Sequence, residues 1–149
     1  MATLQVEIVT PEAALWAGEA TALIARSSEG NFTILPQHTP TVGDIVPGVV
    51  RVETTEGEVA FAVHGGYFQV GPDETEGVTR ATVLAGVAER TSQIDEARAQ
   101  VAKEAAQAEL AAGTRAENDH GADQLAQAAL QRAELRLQAA ANSSQRALT

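Results

Sequence analysis

The chain contains 149 residues, of which 44% are hydrophobic and only 3% are aromatic, and it contains no cysteine. Its formal net charge of −10 argues against nucleic-acid binding, because phosphate recognition needs a basic surface. The lack of cysteine excludes disulfides, thiolate metal sites and cysteine nucleophiles, and no apolar run is long enough to cross a bilayer.

The first part of the chain has the period of β-strands. In residues 4–8 and 59–63 apolar side chains take every second position, and similar short runs lie between them up to about Glu89. Glycine and proline separate these runs, which is typical of antiparallel sheets. Two packed sheets bury the apolar faces that a single sheet would leave exposed. The sequence therefore predicts an antiparallel β-sandwich over residues 1–89.

After Thr91 the apolar residues are spaced by three and four, which is the period of an α-helix. The first apolar stripe consists of Ile94, Ala97, Val101, Ala105, Ala108 and Ala112. The second consists of Ala126, Ala129, Leu130, Ala133, Leu137 and Ala140. Gly113 suits a helix C-cap, residues 114–121 predict a turn, and Asn142 and Ser143 predict the second helix end. We predict an antiparallel helical hairpin over residues 90–149, and an α+β fold for the whole chain.

The two predicted stripes consist mostly of alanine. Alanine is the best helix former, but its burial contributes much less than the roughly 1.5–3 kcal/mol of a large aliphatic side chain. These helices are therefore stable as helices and bind any one partner weakly. We expect a hairpin that can leave its docking surface and pack elsewhere.

Several motifs, in order, resemble one family. They are VEIVTP at residues 6–11, EGNFTILPQHTP at 29–40, GGYFQV at 65–70 and TVLAGVAE at 82–89. Together they resemble the epsilon subunit of F-type ATP synthases over nearly the whole chain. The chain departs from that pattern at Asn31, where the family usually has an acidic residue, at Gln37, usually glycine, and at Gly86, usually aspartate.

The resemblance implies a rotor subunit of the central stalk rather than an enzyme. The sandwich would bind the gamma subunit and the c-ring. The hairpin would switch from a folded form to an extended form that reaches the alpha/beta catalytic head and inhibits ATP hydrolysis. Such a subunit couples proton transport to ATP synthesis, and it would be peripheral, on the cytoplasmic face of a bacterial cell membrane.

The segment 94–99, IDEARA, has two interpretations. From its residues alone it starts a helix, with Ser92 as the N-cap and Asp95 three positions later, as in a capping box. By resemblance, it matches a motif with which some bacterial epsilon subunits bind ATP. The residues that the resemblance assigns to nucleotide sensing are Glu89, Asp95, Arg98, Arg132 and Arg136. ATP would be a regulatory ligand and no cofactor would be required; Ala105 replaces a further arginine.

Partner contacts are predicted at two places. The resemblance assigns a contact with the c-ring to the Gly30–Pro40 loop, through Ile34, Leu35, Pro36, His38 and Pro40. It also assigns an inhibitory contact with a catalytic subunit to Arg132 and Arg136, which otherwise form an ordinary solvated helix face.

No metal site is predicted, because the three histidines have no ligand-like spacing. An alternative function stays open at this point: a free-standing β-sandwich that binds a small ligand, with the helices as an oligomerisation arm. Binding of such a ligand without a gamma subunit would distinguish it.

Overall fold

The strands and helices come from a computed structural model that describes residues 2–113 and 120–147. Within these residues there are ten strands, which all precede the helices. They are β1 (Thr3–Val9), β2 (Ala14–Ala20), β3 (Ala22–Ser27), β4 (Gly30–Ile34), β5 (Thr41–Ile45), β6 (Gly48–Thr54), β7 (Gly57–Val63), β8 (Gly66–Pro72), β9 (Val78–Ala85) and β10 (Ala88–Arg90). The chain divides into two compact units, Met1–Arg90 and Thr91–Thr149.

The strands form two five-stranded sheets, which confirms the predicted sandwich. The first sheet has the order β2-β1-β9-β8-β5 and the second has the order β10-β7-β6-β3-β4. All pairs are antiparallel except β1 with β9, which run parallel from Thr3 opposite Val78 to Val9 opposite Leu84. Alternation of apolar residues is the same in parallel and antiparallel strands, so the sequence did not reveal this pair.

The core lies between the two sheets and follows the alternation seen in the sequence. In β1 the side chains of Leu4, Val6 and Ile8 are at most 1% exposed. Across the core, Phe61 on β7 is the largest of the fully buried side chains. Trp16 is partly buried and packs against this cluster.

One position in β8 depends on glycine because two strands approach closely there. A Cβ at Gly66 would collide with the backbone carbonyl oxygen of Leu84 and lie 3.0 Å from the Cα of Ala85. A backbone atom cannot move aside as a side chain can. We expect Gly66→Ala to lower the free energy of unfolding by about 3 kcal/mol, measured by urea denaturation. Gly71→Ala in the same strand is the control, because nothing lies within 4 Å of its added Cβ; equal losses in both variants would contradict the explanation.

The second unit contains a short 3₁₀ turn at Thr91–Gln93 and two helices, α1 (Glu96–Gly113) and α2 (His120–Ala147). The predicted hairpin is confirmed, with two corrections. Helix α2 already begins at His120, and it continues past Asn142 and Ser143 instead of ending there. The remainder of the predicted turn, residues 114–119, lies outside the described residues.

The predicted packing stripe of α1 is wrong. Ala97, Ala105, Ala108 and Ala112 are exposed, and Val101 is 65% exposed. The buried side of the helix instead consists of Ala99 and Ala106, with Lys103 and Leu110 half-buried. Because α1 packs against α2 and buries only this side, this side faces α2. Helix α1 is apolar on two opposite sides, so periodicity alone could not decide between them.

The predicted stripe of α2 is confirmed, since all six of its residues are buried or half-buried. Its most buried members are Ala126, Ala133 and Ala140, spaced by seven residues. Ala99 and Ala106 on α1 have the same spacing. We infer that the two helices meet through alanines, which permit close approach and bury little area.

Candidate functional site

The start of α1 is capped by Asp95. Its Oδ1 accepts a hydrogen bond from the backbone N–H of Arg98 at 3.1 Å, and its carbonyl oxygen accepts one from the N–H of Ala99 at 3.0 Å. Asp95 is therefore the N-cap, and the prediction that Ser92 has this role is wrong, because Ser92 lies within the 3₁₀ turn. Glu96 in the first turn adds a negative charge near the positive end of the helix dipole.

Removing the cap should weaken the start of the helix. We expect Asp95→Ala to destabilise the hairpin by about 1 kcal/mol, because the N–H of Arg98 at the helix start then loses its acceptor. Asp95→Asn should stay close to the wild type, because asparagine caps as well as aspartate does. Hydrogen exchange at the Arg98 amide measures both variants, and equal protection in Asp95→Ala and wild type would contradict the assignment.

The arginines of the predicted nucleotide site lie on both helices. Arg98 and Arg132 are exposed, whereas Arg136 is half-buried and already has an interaction partner. Arg132 and Arg136 are one turn apart on α2. Arg98 lies 15 residues before the end of α1, and the α2 arginines lie 12 and 16 residues after its start. In an antiparallel pair these positions are at a similar height, so the hairpin can bring the three cations to one region.

Glu89 belongs to the other compact unit. It lies in β10, half-buried, where it pairs with Ala62 of β7 and has an interaction of its own. The structure thus brings Asp95 into contact with the Arg98 backbone. Glu89 lies in the sandwich.

The loop after β4 holds the residues predicted for partner contact. Leu35 is 53% exposed, Pro40 is exposed, and Pro36 and His38 are half-buried. Ile34 is 0% exposed and belongs to the core. A partner cannot touch a fully buried side chain, so the prediction of a direct contact by Ile34 is wrong; it anchors the loop instead.

Backbone contacts fix the shape of this loop. Gln37 has a φ of 69°, and its N–H donates to the Thr79 hydroxyl at 2.8 Å. This left-handed conformation favours glycine, and Gln37 adopts it here. His38 Nδ1 lies 2.8 Å from the carbonyl oxygen of Thr39. The loop therefore presents Leu35 and Pro40 on a fixed backbone.

Sequence reasoning missed a second surface, on the outer face of the first sheet. Val42, Tyr67 and Leu84 are 73%, 64% and 49% exposed there, on the adjacent strands β5, β8 and β9. Tyr67 pairs directly with Leu84, and Val42 lies two residues before Asp44, the other neighbour of Tyr67. We call these three residues the apolar patch. The signal in the sequence was a large apolar residue at the outward positions of three strands.

The surroundings of the apolar patch differ at its two ends. An open depression of about 340 Å³ adjoins Leu84 and is lined also by Val9, Thr10, Pro11, Ala85 and Gly86. At the other end of the face, Arg80 donates to Asp73 at 2.9 Å and lies 3.8 Å from Glu7. The hydrogen bond from Arg80 holds the pKa of Asp73 below its usual range. The face therefore changes from apolar to charged along its strands.

Neither a metal site nor a membrane span is found in the part of the chain that the structure describes. Residues 2–113 and 120–147 contain no group of three potential metal ligands. None of their helices is both long and apolar enough to cross a bilayer.

Comparison with known proteins places the chain in a family. Residues 3–91 match the family described as the ATP synthase delta/epsilon chain, beta-sandwich domain. The ATP synthase epsilon chain of Laribacter hongkongensis is 42% identical over 116 residues, which cover 76% of this chain and 79% of that protein. The epsilon chain of Alkalilimnicola ehrlichii is 43% identical over 112 residues, covering 74% and 76%.

Two solved structures share the fold. A chain of the Euglena gracilis mitochondrial ATP synthase, from its OSCP, F1 and c-ring assembly, is similar with a TM-score of 0.73 and 23% identity, covering 94% of this chain and 82% of that one. A chain of the Tetrahymena thermophila mitochondrial ATP synthase central stalk and c-ring has a TM-score of 0.53 and 14% identity, covering 92% and 96%. At these identities the likeness shows the fold.

A β-sandwich with an exposed apolar face, followed by a helical hairpin and matched by this domain family, defines a non-catalytic subunit of ATP synthase. The chain belongs to the ATP synthase epsilon chain family. This confirms the resemblance seen in the sequence and the prediction of a structural and regulatory subunit rather than an enzyme. The alternative of a free-standing ligand-binding module receives no support from these comparisons.

Proposed function

We propose that the chain is the rotor subunit that couples proton translocation to ATP synthesis in the central stalk and inhibits ATP hydrolysis through its hairpin. The sandwich, residues 1–89, binds the gamma subunit and the c-ring. The hairpin, residues 90–149, reaches the alpha/beta catalytic head in an extended form. The subunit is peripheral, on the cytoplasmic face of the bacterial cell membrane. Family membership supports the role in the stalk.

The apolar patch is the surface that we assign to the gamma subunit. Three adjacent strands expose large side chains there, and single scattered apolar residues would need no such explanation. The loop residues Leu35, Pro36, His38 and Pro40 are the surface that we assign to the c-ring. A rotor part has to hold its neighbour firmly under load, which suits an apolar contact with charged groups at its rim.

The alanine contact between α1 and α2 is the observation that carries the inhibitory role. Ala99, Ala106, Ala126 and Ala133 are each at most 3% exposed, yet each contributes little apolar area. Such a pair can separate at low cost and so free α2, with Arg132 and Arg136 along it, to meet another partner. These two arginines would meet an acidic segment of a catalytic subunit in the extended form.

ATP acts on the folded hairpin in this proposal. Arg98, Arg132 and Arg136 supply charge-assisted hydrogen bonds to phosphates, and Asp95 or Glu89 accepts from the base or the ribose. A ligand that binds the folded form preferentially shifts the hairpin towards it and relieves inhibition. ATP is a regulatory ligand here and not a required cofactor.

The test uses an ATP synthase depleted of its own epsilon chain. Adding the full chain should slow ATP hydrolysis, and Arg132→Ala with Arg136→Ala should abolish most of that effect without loss of binding. Arg26→Ala, an exposed arginine of the sandwich, is the matched control. Binding without any slowing would refute the inhibitory role.

A separate titration tests the nucleotide site. Millimolar ATP should shift the amide resonances of Arg98, Arg132 and Arg136 in the isolated chain, and the shifts should weaken in Arg98→Ala. If no helix amide responds, the sensor role is lost and the mechanical role stays.

A further inference from the structure

A hydrogen-bonded clamp joins the two sheets beside the apolar patch. The N–H of Ser28 donates to Asp44 Oδ2 and its hydroxyl donates to Asp44 Oδ1, both at 3.1 Å. Ser28 lies in the turn between β3 and β4 of the second sheet, whereas Asp44 lies in β5 of the first. The N–H of Val46 also donates to the Arg26 carbonyl oxygen at 3.0 Å. The turn therefore covers the free edge of β5 at residues 44–46.

Asp44 lies at the rim of the apolar patch. It pairs directly with Tyr67, which pairs with Leu84, so the three form one row across β5, β8 and β9. In β5 the neighbours of Asp44 point the other way: Ile45 is buried, and a Cβ at Gly43 would meet the ring of Phe68. The carboxylate thus stands on the same outer face as the patch.

The Asp44 carboxylate opposes docking unless its hydrogen bonds are satisfied. A partner that covers Tyr67 and Leu84 removes water from the adjacent Asp44, and a carboxylate without hydrogen bonds is costly to desolvate. The two donors of Ser28 satisfy both oxygens before any partner arrives. Docking then leaves neither oxygen of the carboxylate without a hydrogen bond.

We infer that Ser28 is a positioning residue for partner docking, because it satisfies and holds the Asp44 carboxylate at the rim of the apolar patch. The inference rests on the proposed docking of the gamma subunit on this face. It distinguishes the two side chains of the clamp: loss of the Ser28 hydroxyl alone leaves Asp44 Oδ1 without its donor, whereas loss of both side chains removes hydroxyl and carboxylate together. The first change should harm binding and the second should be nearly neutral.

The experiment measures the affinity of the full chain for the gamma subunit by calorimetry. Ser28→Ala should weaken binding about fivefold to tenfold, the effect expected for one unsatisfied group on a desolvated carboxylate. Asp44→Ala and the double variant should stay within about twofold of the wild type. Thr54→Ala is the matched control, since it removes a turn hydrogen bond to Gly57 in the second sheet, far from the patch in the strand order.

The outcomes separate the inference from the function on which it rests. Recovery of affinity in the double variant supports the inference, because a purely structural clamp would be damaged by Asp44→Ala and by the double variant at least as much as by Ser28→Ala. Equal binding of Ser28→Ala and wild type overturns it, as does an Asp44→Ala variant as weak as Ser28→Ala. Failure of the wild type itself to bind the gamma subunit overturns the proposed docking and the inference with it.

Discussion

Phe61→Ala is expected to lower the free energy of unfolding of the sandwich by about 4 kcal/mol. Phe61 is 0% exposed and is the largest of the fully buried side chains in β7, so its truncation leaves a cavity that the surrounding strands cannot fill. The Arg90 guanidinium, 6.0 Å from the ring centroid, loses its aromatic neighbour as well. Domains of this size are stable by about 5–15 kcal/mol, so this one change removes a large share.

Trp16 can report the unfolding of the sandwich, because it is the only tryptophan and packs against this core. Its fluorescence follows urea unfolding of the sandwich. Phe32→Ala is the control: Phe32 is only partly buried and stacks on Phe68 with ring centroids 4.4 Å apart. Its loss should cost about 2 kcal/mol, since less apolar area is buried. A larger loss in Phe32→Ala than in Phe61→Ala would show that Phe61 is not central to the core.

The sequence predicted the architecture because apolar period and turn residues are local properties. The alternation of Leu4, Val6 and Ile8 determines one buried face of β1 without any knowledge of its neighbours. Strand direction is different, since the parallel pairing of β1 with β9 depends on how the chain returns from the other sheet. The end of α2 was also misjudged, because Asn142 and Ser143 are weak helix formers that a helix of this length accommodates.

The site was less predictable because it depends on which side of an element meets another. Asp95 and Ser92 both suit an N-cap, and only the backbone decides between them. Ile34 belongs to a partner motif by resemblance, yet strand alternation places it in the core while Leu35 points outward. The row of Asp44, Tyr67 and Leu84 joins three strands that are distant in sequence, so no local pattern contains it.

Ala106→Leu is expected to open the hairpin. Ala106 is 3% exposed on the side of α1 that faces α2, so a larger side chain has no room at a close helix contact. The cost of overpacking is about 2 kcal/mol, which shifts the balance between folded and open hairpin about thirtyfold. Leucine is nearly as good a helix former as alanine, so the helices themselves should persist. Hydrogen exchange of the α1 amides would rise, and inhibition of ATP hydrolysis would become stronger and less sensitive to ATP.

Ala108→Leu separates this effect from a general one. Ala108 is exposed on the opposite side of the same helix, where the sequence stripe had placed the contact. It should leave hydrogen exchange unchanged, and in neither variant should the unfolding midpoint seen by Trp16 move, because Trp16 belongs to the other compact unit. If Ala108→Leu opened the hairpin and Ala106→Leu did not, the contact would lie on the side predicted from sequence, and the alanine pair at Ala99 and Ala106 would not be what holds the hairpin closed.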